Sequence, residues 1–201
     1  DLTQRAGKPV ELVLSGEDTE LDRRIVEDIS DPLVHMIRNS VDHGIEPKEV
    51  RAAAGKRETG QLALRAYHQG GNIVIEIEDD GGGLNKDAII KKAISQGILS
   101  PTDMPSDDEI FKLIFAPGFS TAEQVTSVSG RGVGMDVVRK NVQALGGRIG
   151  ITSTLGSGST FALSLPLTLA VLDGMIVTVG DQTFVIPLGH IVESLRPDDD
   201  G

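Results

Sequence analysis

Four short stretches of this chain hold residues able to meet a phosphorylated ligand: His35–Gly44 (HMIRNSVDHG), Asp79–Gly83 (DDGGG), Gly130–Asp136 (GRGVGMD) and Gly156–Phe161 (GSGSTF). In the first, His35, Asn39 and Asp42 fall at i, i+4 and i+7 on one face of a helix, with His43 adjacent. The amide oxygen of Asn39 is a neutral, hard donor suited to magnesium, an ion that keeps waters and binds phosphate oxygens. A solvated helix face accounts for the same residues. Asp79 ends an apolar run and precedes three glycines, so its carboxylate sits at a strand end where a base can approach the backbone. A carboxylate accepts a hydrogen bond from the exocyclic amino group of adenine, whereas guanine offers a carbonyl there. An ordinary Asp-Gly turn is the competing account of that stretch. Gly130, Gly132 and Gly134 lie just before a helix opening at Met135, where free amides and the positive dipole end favour phosphate. Their spacing is not a Rossmann fingerprint, and no Walker loop ending in Gly-Lys-Ser or Gly-Lys-Thr occurs in the chain.

The elements that must position these residues follow from periodicity. Val10–Leu14 reads as a strand. Ser30-Asp31-Pro32 reads as a helix start, a capping side chain followed by proline at the first helical position, and the helix runs to Gly44 with Leu33, Ile37 and Val41 as its buried stripe. Gln61–Tyr67 and Asn72–Glu78 alternate and form a β-hairpin across His68–Gly71. A helix spans Asn85–Gln96 and stops at Gly97. Ile98–Ser129 is irregular around one short helix, Asp107–Phe115, and a passage of that length in a compact domain reads as a functional lid. Met135–Leu145 is helical, and strands Arg148–Ser153 and Ser159–Leu165 follow. Strands and helices do not alternate strictly, so the fold class is α+β, a two-layer sandwich with one sheet and one helical layer. This domain occupies residues 1–167. Residues 168–201 read as strands Leu169–Val179, Thr183–Ile186 and Ile191–Leu195 of a second, truncated all-β segment, too short to be stable alone.

Composition narrows the functional classes. The 201 residues include no cysteine, so neither a disulfide framework nor a thiolate metal site is available, and a reducing, cytoplasmic compartment is expected. No apolar run approaches the roughly 20 residues of a membrane helix. A net charge of −11 argues against phosphate-backbone contacts, so no nucleic acid partner is expected. Asp1 without methionine and the Pro197–Gly201 end read as the termini of an excised fragment.

In this order the pieces resemble the ATP-binding (Bergerat) fold shared by histidine kinases, type II topoisomerases, Hsp90 and MutL. LVHMIRNSVDHGIEPKEVR, IEDDGGGL, FAPGFSTAEQV, SGRGVGMDVV and FALSLPLTLAVLDGM are similar to the boxes of the chemotaxis histidine kinase (CheA) family, from about Val10 to the end. The resemblance implies ATP and Mg2+ as ligands. It implies Asn39 as the magnesium ligand, Asp42 and His43 at the nucleotide, and Asp79 at the adenine amino group, with Gly81 and Gly83 letting the base lie against the backbone. Gly130, Gly132 and Gly134 are implied at the ATP, opening the turn that ends the lid, Ser159 supports adenine through water, and Lys92 is a phosphate contact. Phe111, Phe115, Phe119, Ser120 and Thr121 belong to the lid.

Hydrolytic relatives carry glutamate four residues before the asparagine, where this chain has His35. That change suits transfer of phosphate to a protein, and His35 is the catalytic candidate, as a base or as a positioning donor. A clamp ATPase and a non-catalytic coupling module are the alternatives. None of the four histidines is the phosphate acceptor. The resemblance places that residue on a separate domain and gives the complete protein a homodimeric state, with CheW and chemoreceptors as partners through the complete regulatory domain. The fragment itself is expected to be monomeric.

Overall fold

The computed structural model describes residues 8–16, 19, 21, 23–119, 134–167, 174–179 and 182–187. The chain divides into two compact units, Asp1–Leu167 and Thr168–Gly201. The first contains β1 (Val10–Ser15), α1 (Arg23–Asn39) continuing as a π turn (Ser40–Gly44), α2 (Lys48–Ala53), β2 (Gly60–Gln69) and β3 (Asn72–Asp79). Then come α3 (Lys86–Ser95), α4 (Asp107–Lys112) with a 3-10 turn (Leu113–Phe115), α5 (Met135–Ala144), β4 (Arg148–Thr154) and β5 (Gly158–Pro166).

One five-stranded sheet has the order β1-β2-β3-β5-β4. β1 pairs parallel to β2, and every other pairing is antiparallel. The β2–β3 connection is a two-residue turn at Gly70 and Gly71, whose φ angles of 58° and 77° only glycine adopts freely. Along β3, Ile73, Ile75 and Ile77 stand beside Leu165, Leu163 and Phe161 of β5. These six pack with Ile29 and Met36 of α1, Ile89 and Ala93 of α3, and Val138 and Val142 of α5. On the other face Tyr67 Oη donates to Glu76 at 2.8 Å and Arg65 pairs with Glu78. Helices therefore cover one face and water the other, the α+β sandwich expected from the element order. Ile77 is fully buried, and truncating it to alanine would cost about 2–5 kcal/mol.

The expected helix start at Ser30-Asp31-Pro32 is corrected: α1 begins at Arg23 and carries Pro32 inside it. Ser30 caps nothing; its hydroxyl donates back to the carbonyl of Val26, one turn upstream. Pro32 forgoes one amide bond, and its buried ring packs on the inner face of the helix. The stripe shifts with it. Ile29, Met36 and Val41 are the most buried apolar residues of this stretch, while Leu33 and Ile37 pack against their edge.

α4 opens with a reciprocal capping box in which Ser106 accepts from the Glu109 amide and Glu109 accepts from the Ser106 amide. Ser120, Thr121, Gly130 and Gly132 lie outside the described residues. In the second unit, β6 (Gly174–Val179) and β7 (Gln182–Pro187) form an antiparallel pair. The strand expected from Leu169 is described only from Gly174, and Ile191–Leu195 falls outside the described residues.

Candidate functional site

Asp79 ends β3 on the face of Ile73, Ile75 and Ile77, toward the helical layer, and is 3% exposed. Its Oδ1 accepts from the Gly81 amide at 3.0 Å. Burial raises the Asp79 pKa above the ordinary aspartate value. The Gly81 amide, the Ser40 hydroxyl and the Ser159 amide pull the other way without cancelling that effect, and the neighbouring Asp80 charge adds to the rise. Ser40 Oγ is itself buried and reaches no partner in hydrogen-bond geometry. A buried carboxylate with a buried hydroxyl beside it leaves acceptor capacity that a ligand amino group or a water can satisfy.

Close approach of backbone explains the glycines. A Cβ on Gly81 would lie 2.0 Å from the carbonyl oxygen of Gly44, and the Gly82 amide donates to that same oxygen at 2.9 Å. A Cβ on Gly44 would come within 3.2 Å of Asp79 Oδ2, so the end of the π turn lies against the carboxylate. From the other side, a Cβ on Gly158 would lie 1.9 Å from the Asp79 carbonyl oxygen. Ser159 pairs with Asp79 in the β3–β5 register and is buried. Three of the four stretches thus meet at Asp79.

The fourth stretch is reached through Asn39. Its side-chain Nδ2 donates to Met135 Sδ at 3.2 Å, joining the end of α1 to the first residue of α5. That bond uses the amide nitrogen and not the oxygen that would ligate a cation. Gly134 is the N-cap of α5 and supplies no side-chain cap, so the helix start is built from backbone. Among the described residues no group of three or more His, Asp or Glu side chains could hold a metal. Asn39 alone cannot hold magnesium, but it suits an ion delivered with phosphate oxygens and waters already bound.

The remaining expected residues are placed as follows. His35 is half-buried, and burial followed by the Arg38 charge lowers its pKa, which keeps the imidazole neutral at pH 7. Asp42 and His43 are exposed on the π turn. Gly83 takes a φ of +69° where a Cβ would lie 2.2 Å from the Thr154 carbonyl oxygen, so it presses the turn onto the β4–β5 hairpin. Phe111, Phe115 and Phe119 are buried in the core, and Lys92 Nζ lies 5.2 Å from the centre of the Phe119 ring, a cation–π contact.

Four side chains of the site escaped sequence reasoning. Ser153 Oγ accepts from the Leu84 amide at 2.8 Å, donates to the Gly158 carbonyl at 3.0 Å and lies 2.9 Å from Ser159 Oγ. Lys8 Nζ donates to the carbonyls of Val41, Asp42 and Ile45 at 3.2, 2.8 and 2.6 Å, capping the π turn. Arg51 and Lys56 converge on Asp80 and Glu46. No local spacing announces any of these contacts, since each joins segments distant in sequence or crosses an irregular loop.

Residues 28–169 match the family described as histidine kinase-, DNA gyrase B-, and HSP90-like ATPase. The chain is 57% identical over 98% of its length to the chemotaxis protein CheA of Klebsiella aerogenes, covering 30% of that protein. To CheA of Salmonella typhimurium it is 58% identical over 98% of its length, covering 29% of that protein. The sensor histidine kinase CheAY of Helicobacter pylori is 52% identical over 98% of this chain, which covers 25% of it. The chain therefore spans less than a third of the length of each of these relatives.

Proposed function

This chain belongs to the histidine kinase-, DNA gyrase B-, and HSP90-like ATPase family, and we propose that it binds Mg2+-ATP and passes the γ-phosphoryl group to a histidine on a separate phosphotransfer domain in chemotaxis signalling. What supports this reading most directly is the enclosure of the Asp79 carboxylate by Gly44 and Gly81, beside the buried Ser40 hydroxyl, with Gly158 closing on the Asp79 backbone. Asp79 accepts the adenine amino group there, and guanine, with a carbonyl in that place, leaves the buried carboxylate without a donor. Asn39 and the backbone start of α5 face the phosphates. Magnesium, when bound, supplies charge neutralisation at the transferring phosphoryl group.

Phosphoryl transfer needs positioning and electrostatic stabilisation more than covalent help from the protein. His35 fits that division. No carboxylate stands at the position where the hydrolytic relatives orient a water, and a neutral, half-buried imidazole is a weak substitute. The phosphate is therefore kept for an imidazole delivered by another domain. In the complete protein we read the Thr168–Gly201 segment as the first strands of a regulatory β domain through which CheW and chemoreceptors would act.

The test is transfer of label from γ-labelled ATP, with magnesium, to a separately supplied histidine phosphotransfer domain of the similar CheA proteins. Acid-labile, base-stable label on that domain is the expected result. Steady release of free phosphate that is indifferent to the acceptor would replace this reading with a hydrolytic one.

A further inference from the structure

Resting on the nucleotide-site reading, we propose that Arg51 and Lys56 are positioning residues that hold the adenine-facing turn in its ligand-ready shape, so that base selectivity depends on two cations lying behind the turn. Arg51 is 1% exposed and every nitrogen of its guanidinium is engaged. Nε donates to the Arg57 carbonyl at 2.7 Å, Nη1 to Glu46 at 3.0 Å and to the Asp80 carbonyl at 3.1 Å, and Nη2 to the Asp80 carboxylate at 2.8 Å. Lys56 Nζ donates to Glu46 at 2.8 Å and to the consecutive carbonyls of Asp80 and Gly81 at 3.0 and 2.8 Å.

The two peptide units that receive these bonds are the ones that shape the pocket. In the Asp80–Gly81 unit the oxygen faces the cations while the Gly81 N–H donates to Asp79 Oδ1 at 3.0 Å. In the Gly81–Gly82 unit the oxygen faces Lys56 while the Gly82 N–H donates to the Gly44 carbonyl at 2.9 Å. Each plane is thus held at both ends, by a cation behind and by the adenine carboxylate or the π turn in front. A cation on the oxygen also polarises the peptide and strengthens its N–H as a donor, which favours the ionised form of Asp79 through a single peptide unit. Asp80 completes the arrangement, accepting from the Gln61 amide at 2.8 Å and from Arg51, so of the two adjacent aspartates one faces ligand and the other anchors the turn.

A purely structural ion cluster would carry stability and leave base preference alone. The discriminating variant is Lys56→Met, because Lys56 is 20% exposed at its side chain and its loss leaves Arg51 in place against Glu46 and Asp80. ATP and GTP dissociation constants are measured by calorimetry on the 201-residue chain, with melting temperatures recorded alongside. Lys56→Met is expected to weaken ATP binding about tenfold, as for loss of hydrogen bonds to a charged group, and to compress the ATP-to-GTP preference. Lys56→Arg is expected to recover most of that preference. An unchanged ATP-to-GTP ratio in Lys56→Met, whatever happens to its melting temperature, overturns the proposal. A parent chain that binds neither nucleotide overturns the site reading itself, which separates the two failures.

Discussion

The side-chain nitrogen of Asn39 donates to the sulfur of Met135 at 3.2 Å, and through this bond the end of one helix sets the start of another. With its nitrogen held by sulfur, the amide has its oxygen in a defined orientation. Met135→Leu keeps the volume and removes the acceptor, so stability is expected to change by less than about 1.5 kcal/mol. The freed amide then pays for its own ordering, and ATP affinity in magnesium is expected to fall by about 0.5–1.5 kcal/mol, the net worth of one hydrogen bond. Titration with and without magnesium checks it. An equal loss in the absence of the ion would mean that Met135 acts on the pocket by some route other than Asn39.

Asp79 is held at a cost. Burial raises its pKa, so desolvation in the folded chain works against the ionised carboxylate. Asn is nearly isosteric and its oxygen still accepts from the Gly81 amide, so Asp79→Asn is expected to melt at or above the parent temperature at pH 7 in the absence of nucleotide. A clearly lower melting temperature for the variant would show that the charge stabilises the fold, against this account.

The pH dependence has two parts of opposite sign. For Asp79 the folded pKa lies above the unfolded one, so its contribution to stability is complete below the unfolded value and is lost as pH rises through the folded value. ATP affinity runs the other way and is expected to fall as pH drops through that raised value, because a protonated carboxyl no longer accepts the adenine amino group as an anion. For His35 the folded pKa is lowered, so the unfolded chain takes up a proton that the folded chain refuses, and stability falls as pH drops below the ordinary histidine value. His35→Gln is expected to flatten that fall. Unfolding by urea across a pH series measures both, and a parent-like slope in His35→Gln would remove the assignment.

Glycine crowding separates two substitutions that look alike in sequence. Gly81→Ala drives a Cβ to 2.0 Å from the Gly44 carbonyl oxygen, whereas at Gly150 in β4 no heavy atom lies within 4 Å of the added Cβ. The first is expected to cost about 1–3 kcal/mol and to abolish nucleotide binding. The second is expected to stabilise slightly or change nothing, within about 1 kcal/mol. Denaturant midpoints read the difference, and similar values for the two would contradict the close packing of the turn.

Legibility in the sequence divided along a physical line. The β2–β3 hairpin was readable because its register is local, set by alternating isoleucines and the Gly70-Gly71 turn. The nucleotide stretches were readable because glycines at Gly81 and Gly158 mark backbone contact that no other residue tolerates. The start of α1 was misplaced because Ser30 and Pro32 carry the signature of a helix start, and nothing local shows that Ser30 bonds backwards into an existing helix. Arg51 and Lys56 are not legible because they sit in the charged stretch Lys48–Glu58, within and just after the short helix α2, where solvated side chains are the usual outcome. Asp79 and Asp80 are adjacent and chemically identical, and only strand alternation in three dimensions assigns them to opposite tasks.

In the proposed site one cavity grips adenine at Asp79 and a magnesium-bound triphosphate at Asn39. Calorimetric titration of a non-hydrolysable ATP analogue into the parent chain, Asp79→Asn and Asn39→Ala tests it directly. The parent is expected to bind saturably, Asp79→Asn to lose about 1.5–3 kcal/mol at any magnesium concentration, and Asn39→Ala to lose affinity only when magnesium is present. Parent-like affinity in Asp79→Asn would contradict it, because the buried carboxylate would then be shown to have no part in holding the base.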